Sequence, residues 1–475
     1  MRKAIARIRR SSTLLGTLVV TSLACGETSP RTQTSEMVSS PALVRPQMGD
    51  APPVERVSPA MRARAFGGLE RATALHRFFD SLIELEQRTA TRDVRILQFG
   101  DSHTAADVQT AAVRHALQQR FGDGGRGYVP IGSPWKGFLQ EGVRVQSTRE
   151  WRPQRGKYVA GKFMGDGHYG LSGVSVEGGK RGGVVTSHVG ESSRVDVSYL
   201  TQPRGGSVEF FIDGQRKETL RTKGAIHSAF KSYDVPLAPH QIEMRLLGDG
   251  EVRLLGASLD KPDVGIVYDA LGINGARMNV FLTWEETHFA EQIRHADPSL
   301  VILAYGTNEA GDDTSAETLE RHMVDALGRI ARAVPQASCL LLGPPDRAVA
   351  SPDGWATSPK LLSVIESQKR VAEAAGCAFY SQFDAMGGEG AISDWAQEDP
   401  PRAQKDHVHL TRDGYQQIGA GFAADLLRSF AAYRAEKAGR NGTSGKFDAI
   451  QPTGEPSLLN ASPSSDAALP LLPPP

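Results

Sequence analysis

Cysteine is scarce in this chain. Three in 475 residues cannot make the disulfide framework that holds small extracellular domains together, so a hydrophobic core has to carry the fold. Long apolar runs are missing too: none reaches the roughly 18 residues that a membrane-spanning helix needs. Neither sign of charge dominates, because 54 basic and 54 acidic side chains cancel. That balance gives no reason to expect nucleic acid or an anionic membrane as partner. No repeat at solenoid periods is visible. What is plentiful is glycine, with 50 residues that point to many turns, and apolar side chains, 40 % of the total and ample for a core.

The first residues read as an export signal. Arg2, Lys3, Arg7, Arg9 and Arg10 precede an apolar run at 14–24 that is too short to span a bilayer and closes on small residues. Ser22-Leu23-Ala24-Cys25 resembles a bacterial lipobox with Cys25 as the lipidated residue, although Ser22 stands where an aliphatic residue is usual. Lipid anchoring at Cys25 and plain secretion both take the mature protein out of the cytoplasm, to the periplasm or cell envelope. The only membrane contact expected is that anchor. Cys339 and Cys377 sit in or beside strand-like apolar runs and are expected as two buried thiols, with a bridge between neighbouring strands as the alternative.

Residues 26–59, rich in Ser, Thr, Pro and Gln, read as a flexible linker, and 437–475 as a disordered tail. Between them strand-like and helix-like patterns alternate. Residues 94–99 read as a buried strand and 106–121 as a helix. Strands at 264–268, 300–304 and 339–342 follow, with helices at 319–333, 361–375 and 414–432. Such alternation implies an α/β domain of three layers, a parallel sheet covered on both faces, formed by residues 60–128 and 263–436. Residues 129–262 are glycine-rich, with short alternating runs and an Asp213-Gly214 hairpin signal, and read as an inserted β-sandwich.

Four short segments carry the chemistry. Gly100-Asp101-Ser102-His103 follows the first strand, where an open parallel sheet places its active site. Gly100 permits a tight turn, and Ser102 stands where a nucleophile would be. Asp406-His407-Val408-His409 precedes the last helix, and Asp406 and His409 can supply an orienting carboxylate and a base from one loop. His407 is assigned a structural or rim role. Zinc at His407 and His409 fails for want of a third ligand at matching spacing, and no metal or organic cofactor is expected. Asn308, in Gly306-Thr307-Asn308-Glu309, offers a side-chain amide at the same sheet edge; Gly275, in Gly272-Ile273-Asn274-Gly275-Ala276, offers a backbone N–H. With the N–H of Ser102 these make three donors for an oxyanion. Each segment alone is commonplace. Their conjunction at successive strand ends is not.

Ser102, Gly275, Asn308 and His409, in that order, with Asp406 three residues before the histidine, resemble the four blocks of the SGNH (GDSL-like) hydrolases. The departure is Asn308-Glu309 where block three usually reads Asn-Asp. The Gly-Asp-Ser-His-Thr-Ala-Ala-Asp stretch, the 122–128 loop, Gly-Ile-Asn-Gly-Ala and Asp-His-Val-His-Leu-Thr look like the bacterial peptidoglycan O-acetylesterases. That resemblance implies an acyl-enzyme serine esterase acting on an O-acetylated polysaccharide, with N-acetylmuramic acid in peptidoglycan the implied target, and a carbohydrate-binding-like β insert. The rivals are an O-acetyltransferase of the same fold and a non-catalytic cell-wall-binding lipoprotein. His103 is expected to pack rather than act, Trp395 either to floor a sugar site or to pack in the core, Trp135 and Trp151 to do one or the other, and Asp312-Asp313 to be a solvated loop. The sequence says nothing of oligomeric state.

Overall fold

The computed structural model describes residues 68–159, 162–352 and 354–440. The expected export signal, Cys25, the linker 26–59 and the tail beyond 440 lie outside the described residues.

Helix α1 (His76–Glu86) leads into strand β1 (Val94–Gly100), a single turn at Ser102–Ala105, helix α2 (Gln109–Phe121) and strand β2 (Asp123–Val129). An antiparallel run follows, with β3 (Val184–Thr201), β4 (Ser207–Ile212), β5 (His227–Leu246) and β6 (Val252–Asp260) as its main strands. The α/β pattern resumes with β7 (Ile266–Gly272), α3 (Glu286–Ala296), β8 (Leu300–Ala304), α4 (Ala316–Ala333) and β9 (Ser338–Gly343). A hairpin of β10 (Ala348–Ser351) and β11 (Gly354–Thr357), then α5 (Pro359–Ala375), β12 (Ala378–Ser381) and α6 (Arg412–Arg440) complete the chain.

Strands β12, β9, β8, β1 and β7 lie side by side in that order and run parallel. Their apolar runs are continuous because both faces are covered. In β8, Val301 and Leu303 join a cluster with α3, α4 and α5, while Leu300 and Ile302 join one with α1, α2 and α6. This is the three-layer α/β/α arrangement expected from the alternation. The helices end where their capping residues stop them. Ser315 accepts the N–H of Thr318 at the start of α4, and α5 opens with Pro359 after Ser358 and closes on Gly376 at φ 70°.

Three expectations need correcting. The 122–128 segment is not a loop but strand β2, parallel to β7 at Ile266 and Val267 and antiparallel to β6. Its glycines make this possible: a Cβ on Gly127 would fall 1.9 Å from Asp269 Oδ1, and one on Gly125 2.5 Å from the Leu259 carbonyl. A strand built of glycines has no alternating side-chain pattern to betray it. Cys339 and Cys377 form a disulfide rather than two thiols. Parallel pairing of Leu340 with Ala378 brings the preceding residues level, their Cα atoms 5.0 Å apart. Closing a 38-residue separation in the unfolded chain corresponds to about 4 kcal/mol in the chain-entropy account. The bridge joins the N-terminal ends of its strands, away from the edge that carries Ser102. Finally, α6 runs on to Arg440, past the expected boundary at 436. Tyr433 and Lys437 both bond Asp80 on α1, and Arg434 pairs with Glu86, so tertiary contacts hold the extra turn.

The segment expected as an inserted β-sandwich has a core of its own, with Val195, Val208, Phe210, Met244 and Leu254 at its centre. Its strands are hydrogen-bonded into the same sheet as the parallel strands, through the pairing of β2 with β6.

Candidate active site

Strand β1 delivers Ser102 through a turn that tolerates nothing larger than glycine at position 100. A Cβ there would lie 2.1 Å from Thr104 Oγ1 and 2.8 Å from the Ala304 carbonyl. Behind the turn, buried Gln98 donates to Thr104 Oγ1 at 3.0 Å and accepts from the Tyr268 hydroxyl at 2.5 Å, so its amide is satisfied at both ends. Asp101 caps the short turn, its Oδ1 accepting the His103 N–H at 3.0 Å. Burial, opposed by that hydrogen bond and reinforced by nearby Glu309, pushes the Asp101 carboxyl up to about 7.

The expected helix at 106–121 begins only at Gln109, because Asp107 takes a left-handed conformation, φ 49°. The reason is electrostatic. Its buried carboxylate accepts from Thr110 Oγ1 at 2.6 Å, Arg114 Nη1 at 3.3 Å, Arg126 Nη2 at 2.7 Å and the Glu141 N–H at 2.9 Å. Burial alone would raise this carboxyl, but the two guanidinium groups outweigh it and hold it below its usual range. Asp107 thus ties the start of α2 to β2 and to the loop after it. Asp107→Ala should cost about 3–5 kcal/mol in urea unfolding, since buried Arg114 and partly buried Arg126 lose their shared partner; a loss under about 1 kcal/mol would refute this role.

Asp406 and His409 face Ser102 from the loop ahead of α6. Asp406 Oδ1 accepts the N–H groups of Val408 and His409, both at 3.0 Å, and Oδ2 lies 2.7 Å from His409 Nδ1. His409 Nε2 is 3.0 Å from Ser102 Oγ. With Nδ1–H donating to the carboxylate, Nε2 is left to accept from the serine hydroxyl. Burial tends to raise the Asp406 carboxyl, yet the hydrogen bonds from His409 and the two backbone N–H groups hold it well below the usual range. The structure therefore brings Ser102, His409 and Asp406 into one hydrogen-bonded chain.

The neighbouring histidines do other work. His407 turns away at φ 54°, its Nδ1 3.3 Å from Ser393 Oγ and its ring stacked on Trp355. His103 is buried beside His409, with Nδ1 2.9 Å from the Tyr415 hydroxyl. Burial, with His409 adding to it, pushes the His103 imidazole down to about 3, so it stays neutral in the working range.

The second and third segments are locked to the first. The Ile273 N–H donates to the Gly100 carbonyl at 2.9 Å, and a Cβ on Gly272 would strike the Ala105 nitrogen at 2.1 Å. Gly275 is exposed at φ 74°, and its carbonyl accepts from Arg277 Nη1 at 2.6 Å. Asn308 Nδ2 donates to the Ala276 carbonyl at 3.0 Å and lies 3.5 Å from Asp101 Oδ2. Glu309, the departure from Asn-Asp, is buried and accepts the N–H groups of Met278 at 2.8 Å and Gly306 at 3.0 Å. Burial raises its carboxyl despite those bonds. Asp312, expected in a solvated loop, instead grips Arg277 through both oxygens, each at 2.7 Å.

Of the tryptophans, Trp395 is core, with the Arg402 guanidinium 4.1 Å above its ring, and Trp151 is buried too. Trp135 is partly buried and meets Phe138 edge-on. Two residues near the site went unnoticed in the sequence. Arg347 donates to the Thr307 carbonyl, and Trp355 covers His407. Both belong to the β10–β11 region, whose strands of four residues are too short to show a period. Among the described residues no group of three or more His, Cys, Asp or Glu side chains is arranged to hold a metal ion.

Residues 248–417 match the model of the GDSL-like Lipase/Acylhydrolase family, a span that holds Gly275, Asn308, Asp406 and His409 and leaves Ser102 outside. No curated protein sequence matches the chain. Among solved structures, one described as peptidoglycan O-acetylesterase in action is 27% identical, covers 75% of this chain and 96% of its own, and superposes with a TM-score of 0.63. A family two carbohydrate esterase from Cellvibrio japonicus is 10% identical over 61% of this chain and 98% of its own, with a TM-score of 0.26. The family match over residues 248–417 and the likeness to the peptidoglycan O-acetylesterase together support a GDSL-like (SGNH) carboxylic ester hydrolase.

Proposed function

We propose that the enzyme removes O-acetyl groups from a cell-wall glycan, with N-acetylmuramic acid of peptidoglycan as the acetylated sugar, through an acyl-enzyme on Ser102. One observation carries the reading: the hydrogen-bonded chain from Ser102 Oγ to His409 Nε2 at 3.0 Å and from His409 Nδ1 to Asp406 at 2.7 Å. As Oγ attacks the acetyl carbonyl, His409 takes its proton and Asp406 stabilises the imidazolium that forms. The N–H groups of Ser102 and Gly275 and the Asn308 amide receive the oxyanion. The sugar alkoxide leaves with the proton from His409, and water, activated by the same imidazole, then frees acetate and restores Ser102. Export with anchoring at Cys25, and a glycan-holding role for the β insert of 129–262, complete the proposal.

The test is mass spectrometry of O-acetylated muropeptides before and after treatment with the enzyme, with free acetate measured alongside. Loss of the acetyl group with stoichiometric acetate is the expected result. Unchanged muropeptides from an enzyme that hydrolyses 4-nitrophenyl acetate would rule out the substrate. Acetyl transfer to an added glycan without acetate release would make the protein a transferase instead.

A further inference from the structure

Among the five tryptophans, only Trp355 is exposed, at 49 %. It stands on the β10–β11 hairpin, which grows from the C-terminal end of β9 and so belongs to the edge of the sheet that carries Ser102. The hairpin is fixed at both feet. Arg347, just before β10, donates to the carbonyl of Thr307 in the third segment. The Ala348 N–H donates to the His407 carbonyl at 3.0 Å, in the loop of Asp406 and His409. At the other foot Thr357 Oγ1 donates to buried Asp346 at 2.9 Å and accepts the Gly390 N–H at 2.8 Å.

The ring of Trp355 is fixed as well. It lies against His407 with centroids 4.1 Å apart and planes 19° from parallel, and His407 is itself buried. One face of the indole is thus covered and its orientation set, while much of the rest meets water. Leaving so large an apolar surface exposed forgoes burial energy, and a ring held in one orientation loses little entropy when something settles on it. The negative face of an aromatic ring attracts positively polarised hydrogens, and a pyranose presents a patch of such C–H groups on each side.

We propose that Trp355 is a stacking platform for a pyranose ring adjacent, along the glycan, to the one whose acetyl group meets Ser102. The inference rests on the glycan-esterase reading above and adds to it the residue that selects polymer over small ester. The competing role is a prop, in which Trp355 only steadies His407 and, through it, the loop of His409.

The test compares wild type, Trp355→Ala and Trp355→Phe on O-acetylated peptidoglycan, acetylated xylan and 4-nitrophenyl acetate. On whichever polymer the wild type deacetylates, Trp355→Ala should lower kcat/KM about tenfold more than on 4-nitrophenyl acetate, the loss of roughly one aromatic contact. The effect should lie in KM, and Trp355→Phe should recover most of it. A parallel fall on polymer and small ester would show a prop and overturn the inference, as would an unchanged polymer constant. Wild-type enzyme that deacetylates neither polymer yet hydrolyses the small ester would defeat the glycan reading itself, a result visible before any variant is measured.

Discussion

Ser102→Ala should lower kcat on 4-nitrophenyl acetate by about 10⁶-fold, the scale on which serine hydrolases lose turnover without their nucleophile. The size follows from the chemistry. Without Oγ no acyl-enzyme forms, and what survives is the contribution of oxyanion donors and binding to attack by water, typically about 10³–10⁴ over the uncatalysed rate. The fold should not suffer, because the one side-chain hydrogen bond of Ser102 is to His409. The turn around it is held by Asp101, Gln98 and Gly100. Thermal unfolding within about 1 kcal/mol of wild type, together with lost turnover, is the expected pair of results. Turnover within a hundredfold of wild type would mean that another group attacks the ester.

Asp406→Asn should cost about 10⁴-fold in kcat. The carboxylate does two separable jobs. Its Oδ1 shapes the loop by accepting two backbone N–H groups, and an asparagine oxygen can take those over. Its Oδ2 fixes the proton on His409 Nδ1, and here an amide fails. An Nδ2–H₂ facing Nδ1 makes that nitrogen the acceptor, so the proton moves to Nε2 and points at Ser102, where a base is needed. The loss should therefore appear in kcat with the loop intact. The pH behaviour has a definite sign. Burial would raise the Asp406 carboxyl, but the hydrogen bonds around it lower it below the unfolded value, about 3.9. Its stabilising contribution is complete above that value and is lost as the pH falls toward the folded one. Side-chain exposure of 46% mutes this. A drop below tenfold in Asp406→Asn would show that His409 needs no orienting partner.

The sequence was most legible where physics repeats itself along the chain. The residues of β8 could be read as 300–304 because a strand covered on both faces is an unbroken apolar run. Ser102, Asp406 and His409 could be paired on paper because serine hydrolysis needs those residue types at strand ends and before a helix, and the three side chains do meet within hydrogen-bond reach. What stayed hidden depends on neighbours that no local pattern encodes. The glycines of β2 mark close backbone approach to Asp269 and Leu259, which reads as a loop until those partners are known. The Cys339–Cys377 bridge needs β9 and β12 to be adjacent, a matter of strand order. Asp107 has helix-capping chemistry in the sequence; only the fold supplies Arg126 from β2 to pull it out of the helix. Trp395 and Trp355 are equally aromatic on paper, and the difference between core and surface comes from the hairpin that lifts one of them.

Strand β2 has a further consequence, for the recombination of parts. It is paired on one side to β7 and on the other to β6, so the two halves of the molecule meet along a ladder rather than at a linker. A foreign β module grafted in place of residues 130–261 would have to supply an edge strand whose backbone approaches Gly125 as closely as the Leu259 carbonyl and the Asp260 Cα do. A module chosen only for its ligand would leave β2 half-paired, an open template for another chain. Exchange at this seam is governed by register before it is governed by specificity.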